Sequence, residues 1–554
     1  MHKFLSVACV LLSTTTLFAQ DGKEKEDLGN KEYIIVKDYK PVLAESYKIS
    51  DLPEGDTTTV NPPAMKYNAV SKKIETNYET ATIKAVKVTD EKLQKLYRNL
   101  IKLGIGNYTT YNGEAYINSL RSKKGALGLS MKHLSGSPSL KGAGEADFSR
   151  NTAGLNGKYF LENATFDADI NFDRNVIHYY GYNSDDTIID KKDTKQRFTE
   201  FAFNAGITSN YLNKGHIDYG AHVGYITFND LFEVKENDFL FNGNIGKQLD
   251  NFYLRVDASL NYFSKSDAKY EVLTLNSNLK RNIIRISPAF IFDKDKVHLV
   301  VGGRMEVEKN RGTDVHFFPR VDFSLPIAEH ILAVFANVDG NIAKNNFRTL
   351  SYENPFITSA IHPVNTINLI SLTGGLKGNF SSTVSFTAWA KYSKVEDLIL
   401  FVNDSTYFNK FNYVMDDGKI LNLHAEIGFM SDDKLNLSLH LDQNSYTLDQ
   451  FQKAWHRPAT IISFVAKYNL RDKILVNASL FAHGVQYAGI KEGNGYKSEK
   501  INGYLDGNLG LEYRYSKILS VFVNLNNLGF AKYYTWYQYP SERFNVLGGI
   551  TYSF

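Results

Sequence analysis

Residues 435–442 read Leu435-Asn436-Leu437-Ser438-Leu439-His440-Leu441-Asp442. Four leucines alternate with four polar residues. In an extended strand successive side chains point to opposite faces, so this stretch carries one apolar face and one polar face. The segment upstream does the same: Leu421, Leu423, Ala425, Ile427 and Phe429 alternate with Asn422, His424, Glu426 and Gly428. So do 474–484, 503–515 and the final segment RFNVLGGITYSF, where Phe544, Val546, Gly548, Ile550, Tyr552 and Phe554 share a face.

A soluble sandwich shows the same alternation, and three features favour a transmembrane antiparallel β-barrel instead. The strands are long, whereas globular strands average about 5–6 residues. Charges sit deep within strands, as with Asp167, Asp169 and Asp173 opposite Phe166, Ala168, Ile170 and Phe172, which a wet lumen tolerates. Connections alternate in length: tight links at 431–434, 469–473 and 515–517 against long polar loops at 182–195, 346–365, 403–418, 446–457, 488–500 and 531–542. Short turns on one side and long loops on the other characterise outer-membrane barrels. Strands are expected to begin near 99, 111, 125, 143, 165, 196, 216, 237, 251, 270, 297, 314, 330, 366, 383, 419, 434, 458, 473, 501, 517 and 544. That is about 22 strands, bracketed at 20–24, and an even number as bacterial single-chain barrels require. The count treats 270–294 as one long strand, because splitting it reverses the direction of every strand after it.

Composition narrows the class further. The 554 residues carry 63 Lys plus Arg against 60 Asp plus Glu, a net charge of +3 that gives no support for a nucleic-acid partner. Aromatic residues make up 13 %. No run of about 18 apolar residues follows the N-terminus, which excludes transmembrane helices there. Residues 1–20 read as a secretory signal peptide: Lys3, an apolar core from Phe4 to Leu12, then small and polar residues up to Gln20. The single cysteine, Cys9, lies inside that signal, so no disulfide or thiolate site is expected. Residues 21–96 read as a mostly extended periplasmic arm, charged at first and then punctuated by Pro41, Pro53, Pro62 and Pro63, with a short helix over Asp90–Leu100. Residues 97–554 form the barrel.

The segment 521–554 resembles the C-terminal end of TonB-dependent outer-membrane receptors. Asn526, Asn527 and Leu528 precede the paired Tyr533 and Tyr534, then Tyr539-Pro540, Arg543 and the terminal Phe554. Glu542 stands where that family has a glycine before the arginine. Val546, Ile550, Tyr552 and Phe554 resemble the signal read by the barrel-insertion machinery. The signal peptide ending Phe-Ala-Gln and the arm motif Val36-x-x-Tyr39-x-Pro41 resemble Bacteroidota proteins. The resemblance implies solute transport or uptake across the outer membrane of a Gram-negative cell. Family members place a globular plug before the barrel. Segment 21–96 is short for one and lacks its glycine-rich hairpins, so the expectation is a receptor barrel without its usual plug. A barrel this wide needs something in its lumen: the arm, inward loops or a partner.

Glu32-Tyr33-Ile34-Ile35-Val36 resembles a TonB-box, which pairs with its partner by β-strand addition; the same stretch also reads as a local structural strand or as an edge that binds another periplasmic or outer-membrane protein. Glu145, Asp147, Asp167, Asp169 and Asp173 are expected to line one wall of the lumen, either as a wall that attracts cations or docks the arm's lysines, or as a solvated wall balanced by nearby Arg121, Lys132, Lys158 and Arg174. His424, His440 and His483 fall at lumen-facing positions, the first two on adjacent strands. The thirteen histidines show no tight ligand spacing, so neither a metal nor any other cofactor is assigned. Tyr533, Tyr534, Trp536 and Tyr537 read as girdle or loop aromatics. No nucleophile elbow, phosphate loop or metalloprotease helix occurs, and the chain is not read as an enzyme. Two functions remain. One is transport, with outer-membrane lipid around the barrel and TonB as a candidate partner. The other is a structural subunit of a larger assembly, export or envelope-attachment complex, docked through the arm.

Overall fold

The computed structural model describes residues 97–554 apart from positions 121, 188, 211–214, 268–278, 295, 311, 330, 360 and 433. The signal peptide, the arm and the Glu32–Val36 stretch lie outside the described residues.

Twenty-two strands form one closed, antiparallel ring. In chain order they are β1 (Asn99–Gly106), β2 (Thr110–Asn118), β3 (Gly125–Gly136), β4 (Phe148–Phe160), β5 (Ala164–His178), β6 (Lys195–Ser209), β7 (Ile217–Asn229), β8 (Lys235–Gln248), β9 (Tyr253–Ser266), β10 (Leu279–Lys294) and β11 (Val297–Lys309). The ring continues through β12 (Thr313–Ala328), β13 (Leu332–Ala343), β14 (Thr366–Asn379), β15 (Val384–Asn403), β16 (Phe411–Ser431), β17 (Leu435–Leu448), β18 (Thr460–Leu470) and β19 (Ile474–His483). It ends with β22 (Tyr504–Arg514), β23 (Leu519–Asn526) and β26 (Asn545–Ser553). Two hairpins stand outside the ring: β20 (Gln486–Glu492) with β21 (Gly495–Ile501), and β24 (Tyr534–Trp536) with β25 (Tyr539–Pro540).

The ring closes where β26 pairs with β1, Leu103 opposite Ile550 and Gly104 opposite Gly549. Asn99 and Phe554 exchange backbone hydrogen bonds of 3.0 Å in both directions at the end of this seam. At its other end the Asn107 side chain accepts from Val546 N and donates to Phe544 O. Ile550, Tyr552 and Phe554 all face outward, and the rings of Tyr552 and Phe554 stack.

The alternation seen in the sequence is the inside–outside code of the ring. Ile105 is 70 % exposed and Phe317 76 % exposed, although both are apolar, because each points away from the lumen. Phe166, Ile170 and Phe172 on β5 and Phe239 and Phe241 on β8 do the same. Such a continuous apolar belt is tolerated in lipid and not in water. No helix among the described residues is long and apolar enough to cross a membrane.

The expected strand starts hold to within a few residues at most positions. Two shift further. β4 begins at Phe148 rather than near 143: the chain turns at Gly142, whose φ of 72° is costly for any residue with a Cβ. β16 begins at Phe411, eight residues before its expected start, because Phe411 is already paired to Asn403 of β15. The described part of β10, Leu279–Lys294, is a single strand, which preserves the direction of all later ones, and its expected start near 270 lies outside the described residues. The helix expected over Asp90–Leu100 does not extend to Asn99 and Leu100, which belong to β1.

Candidate functional site

Every odd-to-even connection lies at one end of the ring, and most of the long ones gather there. The longest, residues 344–365 between β13 and β14, does not stand outward; it folds across the mouth. Asn346 starts its one helix, Phe347–Glu353, through a capping box: the Asn346 side chain accepts from Thr349 N at 2.8 Å while Thr349 Oγ1 accepts from Asn346 N at 3.0 Å. Past the helix, Thr358 N donates to Phe411 O and Phe411 N to Phe356 O, tying the loop to β16. Tyr179, which follows β5, donates its hydroxyl to Ile357 O at 3.2 Å. β5 and β16 stand eleven places apart in a ring of 22, diametrically opposite, so the loop spans the opening.

Two sets of forces hold it there. The first is apolar. Phe347, Leu350, Phe356, Ile357 and Ile361 pack against Phe198 and Phe228 from the wall and Tyr539 from the 527–544 loop. Phe356 and Tyr539 stack at 3.6 Å between ring centroids. Burying such side chains contributes roughly 1.5–3 kcal/mol each. The second is ionic. Glu236 on β8, 2 % exposed, accepts from the Phe347 and Arg348 amides at 2.9 Å each, placing a carboxylate on the helix N-terminus where the backbone dipole favours it. Asp238 pairs with Lys344. Lys265 on β9 donates to the carbonyls of Ser359 and Ile361. Arg281 on β10 donates to the Pro363 carbonyl at 2.9 Å and the Asn345 carbonyl at 2.7 Å, and Asn365 donates to Glu308 of β11 at 2.8 Å. Glu200 on β6 takes Arg348 and the Tyr352 hydroxyl. Nothing in the sequence of one strand says that its inward charges meet a loop about 100 residues later.

Burial shifts titratable groups within the cap. Desolvation raises the Asp230 carboxyl above its usual range, although the Phe232 and Val234 amides and Gln196 donate to it. Burial lowers His456, between Phe411 and Trp536, to about 3. It also lowers the Lys410 ammonium, which lies over the rings of Tyr179, Phe232 and Tyr407.

Below the cap the lumen is polar. A cavity of about 500 Å³ is lined by Arg255, Arg285, Arg304 and Arg320 with Asp257, Asp322 and Asp339. The guanidiniums are paired: Arg285 to Glu306 at 2.7 Å, Arg304 to Asp339 at 2.8 Å, and Arg320 to Asp257 at 3.1 Å. An adjoining cavity of about 350 Å³ shares Asp322 and Asn337 and reaches Trp389 on β15.

The expected acidic wall separates into parts. Asp167, Asp169 and Asp173 lie on β5; Asp173 pairs with Arg150 of β4 at 2.7 Å and Asp169 accepts from Asn171 and Asn204. Glu145 and Asp147 lie instead in the loop before β4, where both pair with Lys191 from the 179–194 loop. The reason is the Gly142 turn, which keeps them off the strand. Trp536, in the 527–544 loop, packs on Phe401, Phe411 and His456 within the cap, which takes the loop side of the girdle-or-loop expectation. His424 and His440 face the lumen from β16 and β17, with Glu426 directly opposite His440 and Asp442 directly opposite His424. His483 lies apart on β19, stacked on Tyr504.

No protein-family model matches the sequence, and neither does any curated protein sequence. Solved structures do match the fold. The FrpB iron transporter from Neisseria meningitidis superposes with a TM-score of 0.64 at 11 % identity, covering 83 % of this chain and 82 % of that one. The siderophore receptor PirA from Acinetobacter baumannii gives 0.64 at 11 %, covering 84 % and 81 %. The pyoverdine outer-membrane receptor FpvA from Pseudomonas aeruginosa gives 0.63 at 13 %, covering 84 % and 79 %. At such identities the likeness is one of architecture: this chain folds as the barrel of outer-membrane receptors and transporters does.

Proposed function

We propose that the protein is an outer-membrane barrel that admits a polar or charged solute, and that the 344–365 loop is its gate. The observation that carries this is the cap itself. A wide, polar lumen is closed at its mouth by a segment of the same chain, held largely by hydrogen bonds and ion pairs to the wall. A solute bearing charges of its own competes for those partners, whereas a purely structural barrel has no need of a removable cover. The fold neighbours described as iron transporter and siderophore receptor make iron carried by a siderophore the first cargo to try. In this reading Glu32–Val36 offers a strand to TonB on the periplasmic side, and Asp167, Asp169 and Asp173 draw cations along one wall.

Planar-bilayer conductance tests the gate. The full chain is expected to conduct little. Glu236→Ala removes the carboxylate under the loop's helix and leaves two buried amides unpaired, a loss of about 1–3 kcal/mol for each. Its channel openings are expected to be more frequent, with the barrel intact as judged by heat-modifiable migration on a gel. An intact Glu236→Ala barrel that conducts no more than the parent counts against the proposal.

A further inference from the structure

The register between β16 and β17 places four metal-competent side chains on one patch of lumen wall, away from the cap. Glu426 Oε2 lies 3.6 Å from His440 Nδ1 and 3.9 Å from His424 Nε2. These three ligand atoms all fall within 4.8 Å of one another. An ion bound tetrahedrally at about 2.0–2.1 Å separates its ligand atoms by about 3.3 Å, so side-chain rotation alone closes the set. The fourth residue prepares it. Asp442 Oδ1 stands 2.6 Å from His424 Nδ1, which fixes the proton on that nitrogen and turns the Nε2 lone pair toward Glu426. A carboxylate behind a ligating histidine is the usual supporting contact of metal sites. Trp389, opposite His424 in the register with β15, stacks on its ring at 5.0 Å and holds its plane.

The charge balance favours a cation there. The residues directly opposite Glu426 and Asp442 on the outer neighbours are Thr387 of β15 and Ile461 of β18. Among the described residues no salt bridge joins either carboxylate to a lysine or arginine, in contrast to the paired guanidiniums of Arg285, Arg304 and Arg320. The four side chains keep 15–40 % of their surface exposed, so an ion can enter from the lumen.

We infer that His424, His440 and Glu426 form a site for one divalent transition-metal ion, with Asp442 as positioning residue and water completing the coordination. Two imidazoles and one carboxylate suit zinc, copper, nickel or cobalt better than magnesium or calcium. The site is independent of gating: its ion is held on a rigid pair of strands whether the mouth is open or closed.

Cobalt(II) reports on it directly. The full chain, purified in detergent without a histidine tag and stripped with chelator, is titrated with cobalt and read by visible absorption. One equivalent is expected to give a low-symmetry cobalt band that one equivalent of zinc removes, and copper is expected to quench Trp389 with the same stoichiometry. His440→Ala is expected to weaken binding by about 100-fold or more, and Asp442→Asn by about 10–100-fold. His133→Ala, a β3 histidine on the outward face, bonded to Asn151 and Ser135, is expected to change nothing. Heat-modifiable migration checks that each variant barrel has folded. Equal cobalt binding by the parent and a folded His440→Ala barrel, or no binding by the parent at millimolar cobalt, overturns the inference.

Discussion

His456 shows how single residues set the conditions under which the cap holds. Its ring sits against Phe411 and Trp536, and burial lowers its pKa from 6.5 to about 3. As pH falls through 6.5, the unfolded segment takes up a proton that the folded one refuses. The stability present above pH 6.5 is therefore lost progressively between 6.5 and 3. At pH 5 the full effect is about 2 kcal/mol, and the ring's partial exposure trims it to about 1–2 kcal/mol. Limited proteolysis of the 449–459 loop is expected to speed up several-fold from pH 7.5 to pH 5, and His456→Phe to flatten that profile. An unchanged profile in the variant assigns the effect elsewhere. Asp230 works in the opposite sense: its raised carboxyl contributes stability that is present at low pH and lost as pH rises through its folded pKa. Neither role is visible in the linear sequence, where Asp230 follows a strand and His456 sits in a polar loop. The histidine pair is an intermediate case. Their adjacency follows from alternation and strand order, but the position of Glu426 opposite His440 depends on a register that the short link at 432–434 sets.

The strands were readable because each is a repeated local statement. Leu435, Leu437, Leu439 and Leu441 declare an outer face whatever happens elsewhere in the chain. The loop at 344–365 makes no such statement. Phe347, Leu350, Phe356, Ile357 and Ile361 have their partners on β6, β7 and the 527–544 loop, and no period links them. What could have drawn attention was five large apolar residues in a loop otherwise read as polar and exposed. At the level of paired elements, the β1–β26 seam carries the sharpest packing demand. Gly104 and Gly549 face each other, and a Cβ on Gly549 would run into the Leu103 carbonyl oxygen and the Gly104 backbone. Gly549→Val is expected to leave most of the barrel unclosed, seen as loss of the compact, fast-migrating band on unheated gels. Gly374, where a Cβ meets nothing within 4 Å, is the matched control, and Gly374→Ala is expected to migrate as the parent does. Normal closure of Gly549→Val removes this account of the seam.

For the molecule as a whole, neighbouring positions on one strand belong to opposite environments. Ile170 and Asn171 are adjacent in the middle of β5; the first faces out, and the second faces the lumen and donates to Asp169. Ile170→Lys places a charge against lipid at a cost of about 2–4 kcal/mol. Asn171→Lys places the same charge among Asp169 and Asp173 and is expected to be neutral within about 0.5 kcal/mol. Urea unfolding in lipid vesicles separates the two, and equal losses would mean that inside and outside have been exchanged. The seam also has a consequence in time. Asn107 and Val546 are 439 residues apart, and β1 has no second neighbour until β26 has been made. Until that pairing forms, then, the first strand of the ring presents a bare edge ready to pair with any strand it meets. The cell must keep a stranger from that edge until the chain's own last strand arrives, so the hazard in making this protein is one of waiting.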